Sequence, residues 1–162
     1  MGALDQLYQQ LILEHSKAPH GKPLKADYGG ESFQVNTTCG DQVRLHVTLG
    51  PGDVLEDVSW EGSGCSISQA SLSVMTDLVR GKTLEEAATL SADFTELMHT
   101  RGQGFDDDAA ADALGDAMAF EGVSQFPMRV KCALLGWMAL KDAAAKAKAG
   151  DHTPAQIPEG WE

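Results

Sequence analysis

Gln42-Val43-Arg44-Leu45-His46-Val47-Thr48-Leu49 carries an apolar residue at every second position and a polar one between. Successive side chains of a strand point to opposite faces, so this run predicts a half-buried β-strand. Turn signals bracket it: Thr38 to Asp41 on one side, Gly50-Pro51-Gly52-Asp53 on the other. Beyond the turns lie two weaker runs, Phe33 with Val35 before and Val54, Val58 and Trp60 after. Three short runs joined by tight turns predict a small three-stranded antiparallel sheet.

Away from the sheet the period changes. Leu4, Leu7, Tyr8, Leu11 and Ile12 fall on one face of a helix that ends near His15, before Pro19. After Gly62 the apolar positions Ile67, Ala70, Val74, Met75 and Leu78 again follow the helical repeat, and Gly81 closes that segment. Thr83 with Glu86 forms the pattern of a capping box, which opens a helix through Leu90. Asp106, Asp107 and Asp108 precede an alanine-rich run, Ala109 to Ala119, that reads as a short helix with acidic residues at its favoured end. Pro127 suits a first helical turn. From it a last helix runs to about Ala149, with Val130, Ala133, Leu134, Trp137 and Met138 on its apolar face. Strands first and helices afterwards give an α+β fold, a small antiparallel sheet packed with helices. The expected organisation is a single unit over residues 1–150, with an acidic insertion near 102–121 and an irregular tail over 151–162.

The chain has 162 residues, long enough to bury about 70% of its unfolded surface without disulfide support. Its net charge of -12 disfavours binding to nucleic acid or to anionic membranes, both of which call for a basic face. No apolar run reaches the ~18 residues of a membrane-spanning helix, and no basic-then-apolar leader opens the chain. The expected location is cytoplasmic.

Three cysteines, Cys39, Cys65 and Cys132, therefore stand outside any disulfide framework. Each occupies a junction. Cys39 lies in the first hairpin turn with Asp41 two residues on, Cys65 lies between the third strand and a helix, and Cys132 lies early in the last helix. Three thiolates and one carboxylate complete the four positions of a tetrahedral zinc site. Arg129, three residues before Cys132 and so on the same helix face, is the candidate to steady or release a thiolate; Lys131 is turned about 100° away. The spacings match no zinc-finger pattern, and three buried but unrelated core cysteines remain the plain alternative. The five histidines add little: His46 falls on the polar strand face, His152 in the tail and His15 and His20 beside a helix end, and each ranks below Asp41 for any metal role.

Leu7-Tyr8-Gln9-Gln10-Leu11-Ile12-Leu13-Glu14-His15, Cys39-Gly40-Asp41, Gly62-Ser63-Gly64-Cys65-Ser66-Ile67-Ser68 and Phe126-Pro127-Met128-Arg129-Val130-Lys131-Cys132-Ala133 occur in that order. Together they resemble the SufU branch of the IscU/SufU (NifU N-terminal-like) iron–sulfur cluster assembly family, over nearly the whole chain. The resemblance implies that fold and a metal bound by Cys39, Asp41, Cys65 and Cys132. Lys131 stands where the IscU scaffolds carry His. The stretch around Asp106 to Glu121 lies where SufU proteins carry an insertion.

The resemblance further implies a zinc-dependent sulfurtransferase that takes persulfide sulfur from a SufS-type cysteine desulfurase and serves downstream SUF assembly proteins. Zinc would hold Cys39 deprotonated until a partner side chain, such as a His, takes its place. The freed thiolate would then attack the persulfide, with Arg129 alongside. The alternative is a scaffold that assembles iron into a [2Fe–2S] cluster on the same ligands. A third reading is a structural zinc module used for docking.

Overall fold

The computed structural model describes residues 3–161; residues 1 and 2 of the expected 1–150 unit and residue 162 of the expected tail lie outside it. Three strands, β1 (Gly30–Asn36), β2 (Asp41–Gly50) and β3 (Val54–Ser63), form an antiparallel sheet in the order β1-β2-β3. Five α-helices among the described residues accompany it: α1 (Ala3–Lys17), α2 (Ser66–Val79), α3 (Leu84–Met98), α4 (Asp108–Leu114) and α5 (Pro127–Lys148). The α+β architecture read from the sequence is the one observed.

The register pairs Leu45 with both Ser32 and Trp60, and Val47 with Val58. Val43, Leu45, Val47, Val58 and Trp60 thus share one face of the sheet, and all are fully buried. Helix α5 packs across β1 and β2 on that face, and α2 packs against α5. Each such side chain taken from water stabilises the fold by about 1.5–3 kcal/mol.

The first strand departs from the expected pattern. Its residues on the helix-covered face are Gly30, Ser32, Gln34 and Asn36, while Phe33 and Val35 lie on the opposite face beside Arg44. The cause is the closeness of α5. A β-carbon on Gly30 would collide with the Ala143 carbonyl and lie 2.8 Å from the Ala147 nitrogen. Small residues in β1 let the helix backbone settle onto the sheet, so the apolar pair points the other way.

Helix α3 opens with the predicted capping box but continues past Leu90 to Met98, burying Phe94 and Leu97. The acidic stretch also differs. Helix α4 stops at Gly115 (φ +51°), and residues Gly115–Gln125 form a 3-10 helix. Leu114, Ala117, Phe120 and Val123 are all buried and recur every third residue. That spacing forms one face at three residues per turn, and the geometry follows the pattern. Phe120 meets Phe94 edge to face at 5.8 Å, and Phe94 stacks on Trp137 of α5 at 5.0 Å. In α5 the buried face is broader than expected and excludes Met138, which is exposed beside a groove between α3 and α5. The segment after Gly150 has no helix or strand, and its Ala155 N–H bonds to Glu31 Oε1 at 2.8 Å. No helix among the described residues is long and apolar enough to cross a membrane.

Candidate metal centre

The hairpin turn between β1 and β2, the start of α2 and the second turn of α5 converge at one end of the sheet. Asp41 is the first residue of β2 and shares its face with Val43, Leu45 and Val47, so strand parity alone drives a carboxylate into the interior. It is fully buried. An ionised carboxylate without partners is costly there. One partner is the Cys65 backbone N–H, which donates to Asp41 Oδ1 at 2.9 Å.

Cys39 lies in the turn and is exposed, whereas Cys132 is fully buried. A sulfur of each and a carboxylate oxygen of Asp41 lie within 4.8 Å of one another. Cys65 stands just outside that mutually close trio: its Sγ lies 3.9 Å from Asp41 Oδ2. It is the N-cap residue of α2, at the helix end where backbone N–H groups lack helical partners. Sulfur ligands of a tetrahedral zinc with bonds near 2.3 Å sit about 3.8 Å apart, so Cys39, Asp41 and Cys132 are already close to that spacing and Cys65 must move inward to join them.

The protonation of the buried thiol depends on whether a cation is present. The Cys132 thiol is pushed far above its ordinary range, first by burial and then by Asp41, Cys39 and Cys65 beside it. In metal-free protein it keeps its proton. A divalent ion among the four groups reverses that balance, as thiolate coordination generally does. The residues present therefore fit a four-coordinate metal of the zinc class. Cationic side chains do not contribute to the cluster. Arg129 sits exposed in the first turn of α5 and makes no ion pair or side-chain hydrogen bond with any of the described residues, and Lys131 is exposed.

Two participants escaped the sequence reading. Asn36, the register partner of Asp41, directs its Nδ2 toward Cys132 Sγ at 3.7 Å, and its Oδ1 accepts the Thr38 N–H at 3.2 Å. It ties the turn that carries Cys39 to the buried thiol, and its pairing position across the hairpin is the signal that marks it. Gly64 is the second. A β-carbon there would overlap the Asp41 carboxylate and approach Ser68 Oγ to 2.7 Å. Gly64→Ala should therefore displace Asp41 and weaken metal binding at these residues by about 10- to 100-fold, the usual cost of disturbing a ligand's support. Competition against a chromophoric chelator measures it, and unchanged affinity would show that Asp41 is not constrained by this contact.

Residues 7–148 match the NifU-like N terminal domain family. The chain is 44% identical to the zinc-dependent sulfurtransferase SufU of Bacillus subtilis, covering 91% of this chain and 96% of that one. It is 40% identical to the iron–sulfur cluster assembly scaffold protein IscU of Streptococcus pyogenes, covering 99% and 97% respectively. Among solved structures it is similar to a putative iron–sulfur cluster assembly scaffold protein for the SUF system from Fervidobacterium islandicum AW-1. The TM-score is 0.75 and the identity 35%, over 88% of this chain and 99% of that one. Motifs, sheet topology and these likenesses agree: the chain belongs to the NifU-like N-terminal domain family, among its IscU/SufU members.

Proposed function

We propose that this chain is a zinc-dependent sulfurtransferase of iron–sulfur cluster assembly, taking sulfur from a SufS-type cysteine desulfurase and passing it to downstream assembly proteins. The observation that carries the reading is the gradient of exposure across the four donors. Asp41 and Cys132 are buried, Cys65 is half-buried, and Cys39 alone is exposed. Likeness to the Bacillus SufU over nearly the full length of both chains supports the same role.

In this reading Cys39, Asp41, Cys65 and Cys132 hold one zinc, which when bound keeps thiolates deprotonated at neutral pH. Cys39 serves as nucleophile. Its thiolate attacks the outer sulfur of the partner's persulfide, the partner's S–S bond breaks, and the partner leaves as a thiolate that takes up a proton. Cys39 then carries the persulfide. Asp41 and Cys132 stay anchored in strand and helix, and Asn36 keeps the turn in place. Arg129, exposed at the mouth of α5, would steady the freed Cys39 thiolate once a partner excludes water.

The likeness to the Streptococcus scaffold favours a second reading, assembly of a [2Fe–2S] cluster on the same donors. One experiment separates them. Protein purified without air is analysed for metal and sulfide, then added to a cysteine desulfurase. One zinc per chain with stimulated sulfide release is the expected result. Two irons with inorganic sulfide, and no stimulation by the zinc form, would establish the scaffold.

A further inference from the structure

We propose a second transition-metal site, formed by His15, His20 and Asp77 toward the far end of α2 from the cysteine cluster. A nitrogen of each imidazole and a carboxylate oxygen of Asp77 lie within 4.8 Å of one another. Asp77 follows Cys65 along α2 by a little over three turns, about 18 Å, so the two centres are separate. Two imidazoles and one carboxylate suit zinc, copper(II) or nickel(II), and they leave a coordination position open to water.

The three side chains come from three segments and are held by structure that a solvated histidine would not need. His15 lies at the end of α1 and its Nδ1 meets Ser73 Oγ at 2.6 Å. The same fully buried hydroxyl accepts the His20 backbone N–H at 2.8 Å. The His20 carbonyl in turn accepts Trp60 Nε1–H at 2.8 Å, and the Trp60 backbone N–H donates to the next carbonyl, that of Gly21, at 3.0 Å. His20 is thus exposed as a side chain but pinned at both ends of its backbone. The Ser73 contact has the form of an outer-shell partner: if His15 Nδ1–H donates to the hydroxyl, Nε2 is left with a free lone pair.

The two rings sit edge to face with centroids 5.0 Å apart. His20 Nδ1 lies 2.6 Å from Asp77 Oδ2. A surface ion pair would explain those two groups but not why His15 closes the triangle. Binding through both atoms would open that contact to about 3.3 Å, the ligand-to-ligand edge of a tetrahedron with 2.0–2.1 Å bonds. A bound ion would clamp the end of α1 and the following loop onto α2, the helix that begins at Cys65.

The test is a calorimetric titration of zinc into protein whose cysteine site is already filled with one zinc per chain. A second, weaker binding event is expected, lost or weakened at least tenfold in His20→Ala and in Asp77→Asn, with the first zinc retained. Both substitutions are at exposed positions and leave the fold intact; His15→Ala touches Ser73 and is secondary. His99→Ala, at an exposed histidine elsewhere, should change nothing. Copper(II) added to the zinc-filled protein should give an electron paramagnetic resonance signal with coupling to two imidazole nitrogens. No second event, a second event that survives both substitutions, or equal loss in His99→Ala would overturn the proposal.

Discussion

Cys39→Ala should lower desulfurase stimulation by about a hundredfold or more while leaving the metal-free fold unchanged. The two halves of that result come from the same observation. Cys39 is exposed in a four-residue turn and stands outside the hydrophobic core. Surface changes of this kind move stability by about 0.5 kcal/mol or less. Yet it is the donor most open to an incoming sulfur, because Cys132 is fully buried, Cys65 is half-buried and Asp41 carries no thiol. Cys132→Ala should behave differently, since it removes a packed side chain together with a donor. Sulfide release by the desulfurase reads activity, and circular dichroism with urea unfolding reads the fold. Stimulation that survives in Cys39→Ala would remove Cys39 from the nucleophile's role. A metal-free fold equally damaged by both substitutions would favour a structural module.

The sheet and the helices were legible because their patterns are periodic and local. The alternation from Val43 to Leu49 sets the central strand. The Thr83–Glu86 capping box sets the start of α3, and both of its reciprocal hydrogen bonds are present. Misplaced features were those that depend on how elements meet. Phe33 and Val35 alternate as a core face should, but α5 lies too close above Gly30 for bulk on that side of β1. Nothing local to the strand announces the helix. The run after Gly115 looks helical by composition, and only its three-residue spacing of buried Leu114, Ala117, Phe120 and Val123 distinguishes a 3-10 geometry.

The candidate metal centre was legible as residue types at junctions and through family resemblance, while spacing alone was weak. The structure brings Cys39, Asp41 and Cys132 into one trio with Cys65 against Asp41. It leaves Arg129 in solvent, because the i, i+3 relation places it on the same side of α5 as Cys132 but one turn nearer the exposed end. Asn36 was missed since its role arises from pairing with Asp41 across the hairpin. The clustering of His15, His20 and Asp77 needs α1 and α2 to be packed side by side, which no sequence spacing encodes.

Stripping the metal should make the protein sensitive to alkali in a way the zinc-loaded form is not. In the metal-free state burial, Asp41 and the two neighbouring cysteines raise the Cys132 thiol above the value it has in the unfolded chain, about 8.5. Below that pH both states hold the proton, and the thiol has no effect on stability with pH. Above it the unfolded chain releases the proton while the native state retains it, so the native state binds more protons and stability falls as pH rises. The slope approaches about 1.4 kcal/mol per pH unit for this one group, and it persists up to the raised native value. Urea unfolding of chelator-treated protein at pH 7.5, 9 and 10 should therefore show a progressive loss reaching about 2 kcal/mol from this group, against a typical folding free energy of about 5–15 kcal/mol. Lysines and tyrosines also titrate there, so the decisive quantity is the difference from Cys132→Ala, which should lack this component and give the shallower curve. Zinc-loaded protein should be shallower as well, because its Cys132 is already a ligand and has no proton to lose. Parallel curves for the wild type and Cys132→Ala would mean that the buried thiol does not hold its proton in the native state, and the dependence of its protonation on a cation among these four residues would fail with it.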